Sequence, residues 1–131
     1  MDRKTKVLIV EDEAIFAMSM QRVLIRSGYD VAEPAASGEE AVKRANEEKP
    51  DLVIMDVMLE GKIDGIEAAI DIRSLHDIPI VFISGYQEEE LLERAGSVGS
   101  SIYLTKPIKP RDLELAINQV LAANMISSYM P

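Results

Sequence analysis

Val7-Leu8-Ile9-Val10-Glu11-Asp12 sets four consecutive apolar residues, three of them β-branched, directly against two carboxylates. A run this short is a strand rather than a helix. Continuous rather than alternating apolarity marks a strand covered on both faces, as in a parallel sheet. The pattern recurs down the chain: Leu52–Met55 runs into Asp56, Ile80–Ile83 into Ser84, and Ile102–Leu104 into Thr105 and Lys106. A more polar run, Asp30–Glu33, leads into Pro34 and reads as an edge strand.

Between these runs the spacing changes to that of helices. Phe16, Met20, Val23 and Leu24 recur at i, i+4, i+7 and i+8, with Gly28 as a stop. Ser37-Gly38-Glu39-Glu40 reads as a capping box opening a second helix through about Asn46. Asp64-Gly65-Ile66-Glu67 repeats the arrangement for a third, with Ile66, Ala69 and Ile70 facing inward. Glu88–Ala95 predicts a short acidic fourth helix that Gly96 ends. Leu113, Ala116, Ile117, Val120 and Leu121 give a fifth one apolar face, with Pro110 near its first turn. Strands alternating with helices in this way predict an α/β doubly wound domain with right-handed crossovers.

The bulk composition narrows the function classes. A length of 131 residues suits one domain with a single core. The formal net charge of −9 leaves no basic surface for phosphate backbones or anionic lipids, so direct nucleic-acid binding is not expected. Without cysteine there are no disulfides, zinc–thiolate sites or thiol chemistry, and a single histidine, His76, makes no His-based metal cluster. No apolar stretch approaches the roughly 20 residues of a membrane span. The N-terminus, Met1-Asp2-Arg3-Lys4, lacks a signal-peptide core. A cytoplasmic, acidic monomer without membrane insertion is the expectation. After Ala123 the chain keeps apolar residues (Met125, Ile126, Tyr129, Met130) without a clear cap, so residues 124–131 read as a C-terminal tail or the start of a linker.

In a parallel sheet the residues that follow the strands share one edge, where ligand sites of open α/β sheets form. Carboxylates crowded there repel one another and either hold protons or bind a cation. Oxygen donors without His or Cys point to magnesium. Lys106 is a mobile point charge suited to a phosphate oxygen, and Ser84 offers a hydroxyl to another. Such a set suits in-line phosphoryl transfer, with Asp56 as the nucleophile that forms an acyl phosphate. Each residue alone has a plainer reading. Glu11 and Asp12 would favour the dipole of the first helix, Asp56 would be a loop residue, and Lys106 a solvated charge. Their joint placement on one edge carries the chemical reading.

Glu11-Asp12, Asp56, Ser84 and Lys106-Pro107, with Tyr103 three residues before the lysine, resemble the response-regulator receiver family over about residues 5–123. The flavodoxin-like strand order 2-1-3-4-5, borrowed from that class of fold, puts the switch point between strands 1 and 3, between Asp12 and Asp56. The resemblance implies a phosphorylation-activated switch of a two-component phosphorelay, with a histidine kinase or phosphotransfer protein as donor to Asp56. By the same resemblance, Asp12 binds magnesium directly, Glu11 binds it through water, and Asp56 and the backbone carbonyl of Met58 complete the protein ligands. Lys106 contacts the phosphoryl group and joins Pro107 through the family's cis peptide. Ser84 swings toward the phosphate and Tyr103 turns into the space it vacates. The face of helix 4, strand 5 and helix 5 then changes to control a partner or an attached output domain. Met58 and Tyr86 occupy positions that tune the lifetime of the phosphoryl group. Autophosphorylation and autodephosphorylation are implied, yet the role is signalling rather than turnover. A dimer through the same face is the alternative to the monomer.

The loop from Val57 to Gly65 departs from the commonest family form. It is one residue longer and lacks the usual proline, so that Gly61 is expected to supply the turn. In this it resembles receivers of hybrid kinases and stand-alone receivers. Other classes fit less well. A haloacid-dehalogenase-type phosphohydrolase carries a second Asp two residues after its nucleophile, where this chain has Met58. Pseudo-receivers lose the acceptor Asp or the Lys, and both are present. No glycine-rich loop follows strand 1, and there is no P-loop for a nucleotide. His76 is expected at the surface, and Glu88-Glu89-Glu90 as a solvated helix start.

Overall fold

The apolar runs form the sheet of the computed structural model, which describes residues 3–129, the side chains of 125–129 excepted. The strands are β1 (Lys6–Val10), β2 (Asp30–Val31), β3 (Leu52–Asp56), β4 (Ile80–Ser84) and β5 (Ser101–Thr105). All pair in parallel, in the order β2-β1-β3-β4-β5. The helices are α1 (Ala14–Arg26), α2 (Gly38–Glu48), α3 (Gly65–Leu75), α4 (Glu89–Gly96) and α5 (Pro110–Tyr129). The α/β doubly wound, flavodoxin-like expectation is borne out.

Each strand sends alternate side chains to opposite faces, and both faces are covered. Leu8, Val10, Val53, Met55, Ile80 and Phe82 pack beneath α2, α3 and α4. Val7, Ile9, Leu52, Ile54, Val81 and Ile83 pack beneath α1 and α5. Full burial of such side chains contributes about 1.5–3 kcal/mol each, which is why the strands carry almost no polar residue before their carboxyl ends.

Several details differ from the sequence reading. β2 is shorter than predicted: Ala32 and Glu33 leave the ladder, and the chain meets β1 again only at a bridge between Val10 and Ala35. Pro34 lies in this stretch and has no N–H to give a ladder. α2 runs on to Glu48 because the left-handed turn that ends it falls at Lys49, with φ of 47°. In α3 the buried stripe is Gly65, Ile66, Ala68, Ala69 and Ile72, which leaves Ile70 on the solvent flank. His76, expected at the surface, is partly exposed there. Its Nε2 lies 2.6 Å from Asn46 Oδ1 and ties the end of α3 to α2.

The capping boxes divide. Around Asp64 both halves are present, with Asp64 Oδ1 accepting from the Glu67 N–H at 2.8 Å and Glu67 Oε1 from the Asp64 N–H at 3.0 Å. At α2 only the first half forms. Ser37 Oγ accepts from the Glu40 N–H, whereas Glu40 reaches one residue further back, to the Ala36 N–H. α5 continues past Ala123 to Tyr129. The side chains of Met125, Ile126, Tyr129 and Met130 lie outside the described residues. No helix among the described residues is long and apolar enough to cross a membrane.

The tightest backbone approach lies where β3 hands over to α3. Gly65 donates its N–H to the Val57 carbonyl at 2.9 Å, and a Cβ at this position would lie 1.9 Å from the Asp56 carbonyl oxygen. Gly65→Ala is therefore expected to lower the stability by about 2–3 kcal/mol, the upper part of the overpacking range. An unchanged urea midpoint would mean that the loop moves aside freely.

Candidate functional site

The parallel register brings the carboxyl ends of β1, β3, β4 and β5 to one edge of the sheet, and Glu11, Asp12, Asp56, Ser84 and Lys106 lie there or just beyond it, whereas Tyr103 lies within β5. β1 ends at Val10, next to Glu11. The Glu11 N–H donates to the Ala35 carbonyl at 2.9 Å, which turns its side chain into the molecule, where the residue is only 3% exposed. Asp12 follows on the open side. Asp56 is the last residue of β3, opposite Ile83 in the register and 4% exposed. One oxygen from each of Glu11, Asp12 and Asp56 lies within 4.8 Å of the others.

Lys106 reaches this cluster from beyond β5. Its backbone N–H donates to the Ser84 carbonyl at 2.7 Å, and Lys106-Pro107 is a cis peptide. Its ammonium donates to Glu11 Oε1 at 2.8 Å and lies 3.6 Å from Asp56 Oδ2. Beneath it, the Phe16 ring centroid is 4.5 Å away, a cation–π distance that steadies the ammonium over the end of α1. Burial alone would lower the Lys106 pKa. The hydrogen bond to Glu11 and the charges of Asp56 and Glu11 outweigh burial and raise it above the ordinary lysine value, so the side chain is a fixed cation at neutral pH.

Each of the three carboxylates also accepts from one backbone N–H. Asp56 Oδ1 accepts from the Met58 N–H at 3.2 Å, Glu11 Oε2 from the Glu13 N–H at 3.1 Å, and Asp12 Oδ2 from the Glu60 N–H at a long 3.4 Å. All three carboxylates are thus near Lys106 or turned toward the loop after β3. The donors are oxygen only, three carboxylates with no nitrogen or sulfur ligand. That set fits a small hard cation such as magnesium, which binds through one or two carboxylates and keeps several waters.

Ser84 ends β4, fully buried, and its Oγ accepts from the Tyr86 N–H at 3.1 Å. The hydroxyl of Tyr103 does not meet Ser84. It donates to the carbonyl of Tyr86 at 2.7 Å, with its ring 6.5 Å from that of Phe82. Tyr86 therefore holds Ser84 with its N–H and Tyr103 with its carbonyl. The side chains of Met58 and Tyr86 flank the site, 50% and 52% exposed.

Three contributors were not singled out from the sequence. Phe16 reads there as an ordinary core position of a helix. Glu39, read as part of a helix cap, instead accepts from the N–H groups of Lys62 and Ile63 at 3.0 and 2.9 Å, in the loop that follows Asp56. Arg94 of α4 donates to Asp64 Oδ2 at 2.9 Å and joins that helix to the start of α3.

Comparison with known proteins agrees with this arrangement. The response regulator receiver domain family matches residues 7–118. The transcriptional regulatory protein PdtaR of Mycobacterium tuberculosis is 42% identical over 118 residues, covering 87% of this chain and 57% of that protein. The alkaline phosphatase synthesis transcriptional regulatory protein PhoP of Bacillus subtilis is 39% identical over 124 residues, covering 94% of this chain and 51% of that protein. The chain thus spans about half the length of these relatives. Among solved structures, the signal receiver domain of a modulated diguanylate cyclase from Desulfovibrio desulfuricans superposes with a TM-score of 0.88 at 34% identity, covering 95% of this chain and 99% of that one. A CheY-like receiver domain protein from Methanospirillum hungatei gives 0.88 at 26% identity, with coverage of 95% and 99%. With a family match over most of its length and the strand order and carboxylate edge described above, this chain belongs to the response regulator receiver domains of two-component systems.

Proposed function

We propose that the chain is a phosphorylation switch in which Asp56 accepts a phosphoryl group from the phosphohistidine of a histidine kinase or phosphotransfer protein. The observation that supports this reading most directly is the setting of Asp56. Its carboxylate is almost buried at the end of a central strand, near one fixed ammonium and within reach of two further carboxylates. In the transfer, a carboxylate oxygen of Asp56 forms a bond to phosphorus as the bond from phosphorus to the imidazole nitrogen breaks. The electron pair stays on that nitrogen. Lys106 faces the oxygens that carry the developing charge, which is where positioning and electrostatics do most of the work in phosphoryl transfer. Glu11, Asp12, Asp56 and the Met58 carbonyl would hold magnesium, which supplies charge neutralisation to the phosphoryl oxygens when bound.

Ser84 and Tyr103 then serve as the switch pair, and the surface of α4, β5 and α5 as the output face that meets a partner or an attached domain. Residues 5–123 form the switching unit, and 124–131 a tail or the start of a linker. Met58 and Tyr86 border the path by which water would reach the acyl phosphate, a placement that suits tuning of its lifetime. The self-catalysed gain and loss of phosphate is part of this role, which remains signalling in the cytoplasm, with a monomer as the resting form.

Incubation with acetyl phosphate, followed by intact-protein mass spectrometry, tests the assignment. A single magnesium-dependent phosphoryl adduct is expected on the wild type and none on Asp56→Asn. An adduct of equal yield on the variant would move the acceptor elsewhere.

A second expectation follows from the crowding of like charges. Among the described residues Asp12 has one long hydrogen bond, from the Glu60 N–H, to offset its repulsion from Glu11 and Asp56. In a chelator, Asp12→Asn is expected to raise stability by on the order of 1 kcal/mol, while magnesium raises the urea midpoint of the wild type alone. A variant that is less stable in chelator would show that the Asp12 charge is compensated within the protein.

A further inference from the structure

The loop between β3 and α3 runs past the carboxylate edge with no proline to stiffen it, and its centre at Gly61 takes a φ of +118°. It nevertheless has to keep two groups in place. The Met58 N–H lies on Asp56 Oδ1 and the Glu60 N–H on Asp12 Oδ2. These hydrogen bonds are long, 3.2 Å at the limit of the normal range and 3.4 Å beyond it, so they do not by themselves fix the loop. What fixes it comes from another part of the chain. Glu39, in the first turn of α2, accepts from two successive backbone N–H groups, those of Lys62 and Ile63, with one oxygen. Its other oxygen lies 3.1 Å from where a Cβ at Gly61 would be. Beside it, Gly38 lets Ile63 come against α2 so closely that a Cβ there would lie 2.8 Å from Ile63 Cγ1 and 3.1 Å from the Ile63 carbonyl.

The anchor is itself tied to the site. Ala35, just before α2, accepts from the Glu11 N–H at 2.9 Å and donates to the Ile9 carbonyl at 2.8 Å. The end of β1, the start of α2 and the loop after β3 are therefore linked in sequence: Glu11 to Ala35, α2 to Glu39, and Glu39 to the loop that touches Asp12 and Asp56. We propose that Glu39 is a positioning residue for the Asp56 site, a carboxylate latch that holds this proline-free loop and keeps Met58 and Glu60 against the carboxylate cluster. The bonds described for Glu39 go to the loop backbone and not to Asp12, Asp56 or Lys106. The latch acts through the backbone of the loop. The N–H of Ile63 is also the largest cause of a Glu39 carboxyl held below the usual carboxylate range, and burial, which opposes it, is outweighed. The carboxylate is thus in its charged, acceptor form at neutral pH.

This role rests on the phosphoacceptor reading, and the test separates the two. Magnesium titrations followed by amide NMR, with the same protein's urea midpoint, are made on the wild type, Glu39→Ala, Glu39→Gln and Glu40→Ala. Glu39 is exposed and alanine suits a helix, so the variants fold. Glu39→Ala is expected to weaken magnesium binding on the order of tenfold, the scale on which supports of metal ligands act, with the Met58 and Glu60 amides displaced. Glu39→Gln keeps an acceptor oxygen at the same reach and is expected to recover most of the loss. Glu40→Ala removes an equal charge from the same helical turn, where the side chain meets only the Ala36 N–H among the bonds described, and is expected to bind magnesium as the wild type does. Unchanged affinity in Glu39→Ala, or an equal loss in Glu40→Ala, would overturn the latch while leaving the acceptor standing. A wild type that binds no magnesium would overturn both.

Discussion

Three carboxylate oxygens, from Glu11, Asp12 and Asp56, stand within 4.8 Å of one another, and the ammonium of Lys106 pairs with two of the three residues, Glu11 and Asp56. Two unit charges at such a separation repel by about 3 kcal/mol at an effective dielectric near 20, before screening by water and salt. A chain that keeps this arrangement has to gain stability elsewhere, and the composition of the strands reflects that demand. Before their last residues β1, β3 and β4 are almost wholly Val, Ile, Leu, Met and Phe, buried on both faces. Lys106 offsets part of the repulsion, chiefly for Glu11, which it meets at 2.8 Å. The pair is only partly buried, so its loss would be felt chiefly at Glu11, whose carboxylate is almost wholly shielded from water while the lysine keeps access to it. Asp12, on the exposed side and bonded only weakly, is the charge that a cation would neutralise most directly.

Because the repulsion is tolerated only at fixed positions, backbone precision matters around it. β1 and β3 are neighbours in the sheet, which puts Asp12 and Asp56 on facing ends of adjacent strands. The chain leaving β3 then has to turn within a few residues and start α3 directly under Asp56. Gly65 makes that possible, since its missing Cβ is where the Asp56 carbonyl oxygen sits. Asp64 completes the turn by capping α3 with one carboxylate oxygen while the other accepts from Arg94 of α4. One side chain therefore caps α3 and also joins α4 to its start.

Much of this could be read from the sequence because it is local. A short apolar run ending in a carboxylate identifies both a buried strand and a residue at its mouth, so Glu11, Asp12, Asp56, Ser84 and Lys106 were legible together with the sheet that assembles them. What was not legible depends on backbone groups meeting side chains far away in the chain. An acidic residue in the first turn of a helix has a sufficient local explanation in the helix dipole, and nothing at position 39 signals that its carboxylate faces the N–H groups of residues 62 and 63. Phe16 has the spacing of a core residue, and its ring does pack against the core beneath α1 while its face also carries Lys106. Ile70 departs from its expected inward position for the same reason in reverse: α3 packs against α2 as well as the sheet, which rotates its buried stripe.

The peptide unit around Tyr86 bears on how a change at Asp56 would be felt at the far face. Ser84 Oγ is occupied by the Tyr86 N–H, and the Tyr86 carbonyl by the hydroxyl of Tyr103. In the proposed switch, Ser84 has to release the Tyr86 N–H in order to turn toward a phosphoryl oxygen, and the loop carrying Tyr86 is then free to shift. The bond from Tyr103 to that loop is exposed, so its loss is offset by water and costs only about 0.5–1.5 kcal/mol. Moving the Tyr103 ring inward recovers apolar burial beside Phe82, against which it already lies tilted at 6.5 Å. The proposed switch would thus exchange one solvent-exposed hydrogen bond for buried ring surface, a small difference that a charge-assisted bond at Ser84 would be large enough to tip.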